Sequence, residues 1–183
     1  DQVLCNALRH EYGADVAMSP GVRWGTTTLQ GEWITMEDVM TQCAMTYGEP
    51  YVAEMKGKDL LSILEGVADK LFDPDPYLQS GGDMVRVGGM DYTIAPGNKL
   101  NERITDARLD NGQAIEADKT YKVAGWASVN RTPEGRLMWD IVRDYILTKR
   151  GKDGVLKLPK INHPKLIGVS ENPGIADYPG ELA

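Results

Sequence analysis

Arg23 and Trp24 stand side by side in the stretch Gly13–Gly25, which reads GADVAMSPGVRWG. A planar, permanently charged guanidinium next to a large aromatic, on a glycine-flanked loop, suits an oxyanion with a flat or apolar neighbour. An arginine stacked on a tryptophan as surface packing is the plainer alternative. Tyr47 adjoins Gly48 in a second loop, Arg86 lies in a glycine-rich stretch, and Trp126 ends the run YKVAGWA. Rings that stack and arginines that hold anions are parts of a binding pocket. Trp126 suits a core position equally well.

Groups for bond-breaking chemistry are missing from this set. His10 and His163 are far apart, and no His-x-His, Cys-x-x-Cys or carboxylate-histidine run has metal-ligand spacing. There is no Gly-x-Ser-x-Gly elbow. The pairs Gly81-Gly82 and Gly88-Gly89 lack the Lys-Ser/Thr end of a phosphate loop and read as turns or bulges. Cys5 and Cys43 are two buried thiols or one bridge. Asn130-Arg131-Thr132 matches a glycosylation acceptor. Read from its residues, the chain recognises a ligand and does not by itself hydrolyse it.

The elements that must position these side chains follow from apolar spacing. Val3, Leu4, Ala7 and Leu8 predict a helix over 2–12, stopped at Gly13. Ala14–Met18 predicts a strand whose end becomes the Arg23-Trp24 loop. Thr35 is the N-cap of a short helix ending near Cys43, with Glu37 and Asp38 in its first turn. Tyr51–Met55 reads as a strand, and Gly57 opens a helix with Leu60, Leu61, Leu64, Val67, Ala68 and Leu71 on one face. Asp73–Gly82, DPDPYLQSGG, is a loop. Met84–Val87, Met90–Ile94, Arg103–Leu109 and Tyr121–Ala127 read as strands, with a hairpin signal at Asp110-Asn111-Gly112. Leu137–Leu147 is a helix, and the chain from Gly151 onward reads as an extended tail on the surface. The fold class is α/β or α+β, a mixed β-sheet flanked by helices.

The 183 residues suffice for one domain with a real core. The net charge of -7 argues against bulk nucleic-acid binding, which needs a cationic face. No apolar run reaches membrane-spanning length. The chain opens on Asp1 without a signal peptide, as a mature protein or an excised piece would.

The order of motifs resembles the C-terminal domain of the 5'-nucleotidase family. The resemblance is carried by Gly21-Val22-Arg23, Ile34-Thr35-Met36-Glu37-Asp38-Val39, Tyr47-Gly48, Met55-Lys56-Gly57-Lys58-Asp59-Leu60-Leu61 and Asp118-Lys119-Thr120-Tyr121-Lys122-Val123-Ala124, over roughly residues 13–130. SPGVRWGTT (19–27), EDVMTQCAMTYGE (37–49), EGVADKLFDPDPYLQSGGDMVRVGGMDYT (65–93), YKVAGWA (121–127) and NPGIADYPG (172–180) are similar to one branch of that family, the SoxB thiosulfohydrolases. That resemblance implies a periplasmic two-domain hydrolase of thiosulfate oxidation. Its N-terminal domain, absent from this chain, holds two manganese ions. It removes the terminal sulfonate, as sulfate, from a cysteine S-thiosulfonate on the Gly-Gly-Cys-Gly-Gly arm of the carrier SoxYZ. Residues 1–150 correspond to the substrate-recognition domain and 151–183 to the tail. The catalytic and metal-binding residues belong to the missing domain, and this chain alone is expected to be inactive.

By motif, Arg23 matches the family's substrate-contacting arginine and Tyr47 one of its two stacking aromatics, with Trp126 near the other. Trp24 and Arg86 complete the expected substrate-binding set. Two departures matter. Asp73–Gly82 looks like an insertion relative to ordinary nucleotidases. Gly125-Trp126-Ala127-Ser128-Val129-Asn130 stands where nucleotidases carry Gly-Gly-Asp-Gly, which counts against a nucleotide base. A nucleotide-binding domain of a nucleotidase relative, and a stand-alone anion- or peptide-binding module, are the alternatives.

Overall fold

The computed structural model describes residues 1–20, 27–43, 48–127, 135–158 and 160–169. Helix α1, Gln2–Tyr12, buries Leu4, Cys5, Ala7 and Leu8, the face set by its apolar spacing. It ends at Gly13, whose φ of 59° is the left-handed cap conformation and whose N–H bonds the Arg9 carbonyl. Strand β1, Val16–Ser19, is buried at all four residues because both of its faces are covered. Helix α2, Met36–Cys43, starts in a reciprocal cap. The Asp38 N–H donates to Thr35 Oγ1 at 3.2 Å, and the Thr35 N–H donates to Asp38 Oδ2 at 2.8 Å. The Thr35 hydrogen bonds hold the Asp38 carboxyl below its ordinary pKa.

Strand β2, Pro50–Lys56, runs directly into helix α3, Gly57–Phe72, which buries Leu60, Leu64 and Ala68. Strands β3, Arg86–Gly88, and β4, Met90–Ile94, are separated by Gly89 at φ 87°. Strands β5, Ile104–Leu109, and β6, Thr120–Trp126, precede helix α4, Met138–Lys149. A last short strand, β7, is Lys165–Leu166. None of the described helices is long and apolar enough to cross a membrane.

The central sheet has the order β2-β6-β1-β3, with β1 parallel to β6 and the other two pairs antiparallel. A second sheet has the order β5-β4-β7. The period-two alternation of β1 and β6 divides the core between the two faces of the central sheet. Ala17, Ala124 and Trp126 pack with α1, α2 and α4. Val16, Met18, Tyr121 and Val123 pack with α3 and β4. The mixed sheet with helices on both faces is the fold class read from the sequence.

Three details differ from or add to that reading. The strand expected from Arg103 begins at Ile104, because Arg103 turns inward. It is buried, with Nη1 donating to Asp69 Oδ1 at 2.6 Å and Nε donating to the Pro96 carbonyl at 3.2 Å. The neighbouring Glu65 carboxylate accepts the N–H groups of Asn101 and Ile104, at 3.0 and 2.6 Å. Cys5 and Cys43 are free, buried thiols, which settles the choice left open by the sequence.

The described part of the tail is extended and tied down. β7 pairs in parallel with Thr93 and Ile94 of β4. Asn162 donates to Asp91 Oδ1 and Asp110 Oδ1 and accepts from the Gly89 N–H. Its own N–H donates to Gln2 Oε1 at 2.6 Å. Lys160 pairs with the same two aspartates.

Candidate functional site

The register of the central sheet builds one edge. Pro50 pairs with Trp126, and Ser19 pairs with Arg86. Because Met18 pairs with Gly125 on parallel neighbours, Ser19 falls beside Trp126. Pro50, Trp126, Ser19 and Arg86 therefore form one row across all four strands, about 14 Å wide at ordinary strand spacing. It lies at the carboxyl ends of the two parallel strands, where open α/β sheets bind ligands. In sequence, β1 leads to residues 21–26, Gly48 and β2 follow residues 44–47, β6 leads to residues 128–134, and β3 follows the 73–85 loop. Each segment that the sequence marks for recognition thus adjoins a strand end on this row. Arg23, Trp24 and Tyr47 themselves lie outside the described residues, as does the Asn130-Arg131-Thr132 triplet.

Trp126 and Arg86 lie within them. Trp126 is 6% exposed and belongs to the same core cluster as Met138 and Ile141. Its Nε1 donates to Ser19 Oγ at 3.0 Å, and Ser19 Oγ donates to Asp1 Oδ1 at 3.1 Å. The other Asp1 oxygen lies 3.6 Å from Arg86 Nε. This chain, Trp126 to Ser19 to Asp1 to Arg86, ties the row together from its core side to its charged end. Arg86 is half-exposed, and its Nη1 donates to the Met84 carbonyl at 2.6 Å. It places a positive charge on the row, facing solvent. Ser19 is a residue that sequence reasoning missed, since a lone serine at a strand end carries no signal of its partner.

Two further features shape the edge. Gly125 leaves room for the Tyr51 ring across the β2–β6 pair, where a Cβ would stand 2.4 Å from the Tyr51 hydroxyl oxygen. Ala127, just past Trp126, holds a φ of 58°, a conformation that L-residues adopt at a cost. Beside the edge, Gly48 packs against the Trp139 ring, and its carbonyl accepts the Met138 N–H at 2.8 Å, seating α4 under the row. The described segment 27–43 displays Leu29, Trp33, Ile34, Met36 and Met40 to solvent.

The arrangement supplies hydrogen bonds, a cation and aromatic surface. Among the described residues no group of three His, Cys, Asp or Glu side chains comes together to hold a metal. His10 packs edge-on against Tyr145 with ring centroids 5.7 Å apart, and His163 sits in the tail beside the Ile161 carbonyl. The described residues therefore do not fit a two-metal centre. Burial pushes the Cys5 and Cys43 thiols up to about 12, far from nucleophilic thiolates.

Comparison with known proteins places this geometry. Residues 1–131 match the family model described as 5'-nucleotidase, C-terminal domain. No curated protein sequence matches the chain. Among solved structures, the sulfate thiohydrolase SoxB of Thermus thermophilus, in complex with glycerol, is similar at 28% identity and a TM-score of 0.80. The similarity covers 92% of this chain and 32% of that one. A putative 5'-nucleotidase from Staphylococcus aureus is similar at 17% identity and a TM-score of 0.69, over 90% of this chain and 36% of that one. A 5'-nucleotidase precursor from Thermus thermophilus is similar at 16% identity and a TM-score of 0.68, over 91% and 35%. The chain spans about a third of the length of each of these structures.

Proposed function

Since this chain belongs to the 5'-nucleotidase C-terminal domain family, we propose that it is the substrate-recognition domain of a SoxB-type hydrolase. The substrate is a cysteine S-thiosulfonate on the arm of the carrier SoxYZ, and the compartment is the periplasm. The observation that carries this reading is the likeness to SoxB over nearly the whole chain, at a higher TM-score and identity than the two nucleotidases reach. The chemistry of the edge agrees with it. A sulfonate needs fixed cations and N–H donors, and the edge row offers Arg86, with Arg23 on the segment that follows β1.

In the overall reaction, a water oxygen joins the terminal sulfonate sulfur. The bond between that sulfur and the outer persulfide sulfur breaks, its electron pair leaves with the carrier persulfide, and the two water protons pass to solvent. Lewis acidity would come from two manganese ions, for which the described residues of this chain offer no ligand set. This chain's residues bind and orient. Arg23 takes the sulfonate oxygens and offsets the charge that builds as sulfur is attacked. Trp24 and Tyr47 flank the arm. Trp126 acts through Ser19 to fix the floor of the row, with Arg86 at its end.

The test is a tryptophan-fluorescence titration of the chain with a Gly-Gly-Cys-Gly-Gly peptide carrying S-thiosulfonate, and separately with AMP. Each is repeated in Arg23→Ala. The expected result is a saturable response to the peptide that falls at least tenfold in affinity in the variant. A response to AMP alone assigns the domain to nucleotides instead. Silence with both overturns recognition by this chain on its own.

A further inference from the structure

The loop between α3 and β3 is braced from inside and displays its apolar side chains outward. The Asp73 carboxylate accepts the Asp75 N–H at 2.8 Å, and the Asp75 carboxylate accepts the Tyr77 N–H at 2.9 Å. The Leu78 N–H bonds the Asp75 carbonyl at 3.0 Å, and Gln79 Nε2 bonds the Asp73 carbonyl at 2.7 Å. Pro74 and Pro76 fix two backbone φ angles between these bonds. The product is a small ordered turn that holds Tyr77 at 95% exposure and Leu78 at 62%, with Phe72 exposed at its base.

Burying a tyrosine and a leucine stabilises a protein, so a turn that spends four hydrogen bonds holding them in water has its benefit elsewhere. Tyrosine on a preorganised loop is a typical interface anchor, since little side-chain freedom is lost on contact. The charged residues within 73–83 are all acidic. Asp73, Asp75 and Asp83 flank the tip, and among the described residues none of the three forms a salt bridge. The loop also ends on Arg86, the last member of the edge row.

We propose that the 73–83 loop is a docking knob for a protein partner, whose contact surface is an apolar pocket rimmed by lysine or arginine. Tyr77 and Leu78 fill the pocket, and the three carboxylates meet the rim and set its orientation. A second copy of this chain is the wrong occupant, because docking would bring like charges together on molecules of net charge -7. The position next to the edge row makes the partner the protein that carries the substrate, which rests on the function proposed above. The arm enters at the row while the carrier's body seats on the knob.

The experiment measures the affinity of the chain for the thiosulfonate-bearing carrier protein SoxYZ at low and high salt, in parallel with the short arm peptide. Tyr77→Ser combined with Leu78→Ser is expected to weaken carrier binding at least tenfold and leave peptide binding unchanged. Asp73→Asn, Asp75→Asn and Asp83→Asn together keep an amide oxygen that can accept the bracing N–H groups at 73 and 75, and remove the charge. They are expected to weaken carrier binding several-fold at low salt and to flatten its salt dependence. Circular dichroism melts of both variants are expected to match the parent, since Asp75, Tyr77, Leu78 and Asp83 are exposed and the half-buried position 73 keeps an accepting oxygen. Unchanged carrier affinity in both variants overturns the knob while the peptide result still stands for the function. Peptide binding without any carrier binding also overturns it. A dimer, seen by sedimentation, that the serine variant dissolves overturns it in favour of self-association.

Discussion

At the residue scale, the edge row depends on a serine whose hydroxyl is fully employed. Ser19 accepts from Trp126 and donates to Asp1. Ser19→Ala leaves the buried indole N–H without that partner, so the expected cost is about 1–3 kcal/mol in urea unfolding. Peptide binding should weaken as well, because the Asp1 carboxylate beside Arg86 loses its tie to the row. Unaltered stability would show that Trp126 is held by packing alone. The two thiols give a second prediction. With burial raising both pKa values to about 12, neither Cys5 nor Cys43 should react with iodoacetamide at pH 8 in the native chain, and both should react in urea. Fast native labelling of either, read by mass spectrometry, contradicts the packing described for it.

At the scale of elements, α1 and the central sheet approach so closely that one contact tolerates only glycine. A Cβ at Gly88 would stand 2.5 Å from the Cys5 Cβ. Gly88→Ala must therefore push α1 off β3, with an expected loss of about 1–3 kcal/mol in the same assay. The tail clasp responds to acid. Partial burial raises the Asp110 pKa, but hydrogen bonds from Asn162 and Lys160 outweigh it and hold the carboxyl below its ordinary value. The folded pKa is thus lower than the unfolded one, near 3.9. Its stabilisation is complete above the unfolded pKa and is lost as pH falls through the folded one. Amide exchange at residues 160–167 should speed up as pH is lowered from 5 to 2, beyond the intrinsic rate. Asp110→Asn should remove that acid dependence.

At the scale of the whole molecule, the described tail packs as part of the domain. It completes an edge of the second sheet and joins α1, the β3–β4 junction and the β5 turn through Asn162. Removing residues 160–183 uncovers β4 and leaves Asp91 and Asp110 without Lys160. The expected loss is about 1–3 kcal/mol, modest because the ion pairs are half-exposed, and thermal unfolding measures it. An unchanged midpoint would make the tail a passenger.

Local signals alone determined much of this protein. Helices α1, α2 and α3 were legible because apolar spacing, the Thr35 cap and the glycine at position 13 are properties of short windows. The segments expected to carry the site stand out because Pro, Gly, Arg and aromatic residues cluster there in sequence. Only the tertiary structure decided which strands are neighbours, since pairing in the central sheet joins residues far apart in sequence, Ser19 with Arg86 and Val16 with Val123, through backbone groups that every residue carries alike. That pairing placed Pro50, Trp126, Ser19 and Arg86 in one row and turned Trp126 inward onto Ser19. It also buried Arg103 against Asp69 and made Asn162 a hub. A polar side chain shows in sequence that it needs a partner; the fold decides which partner comes within reach.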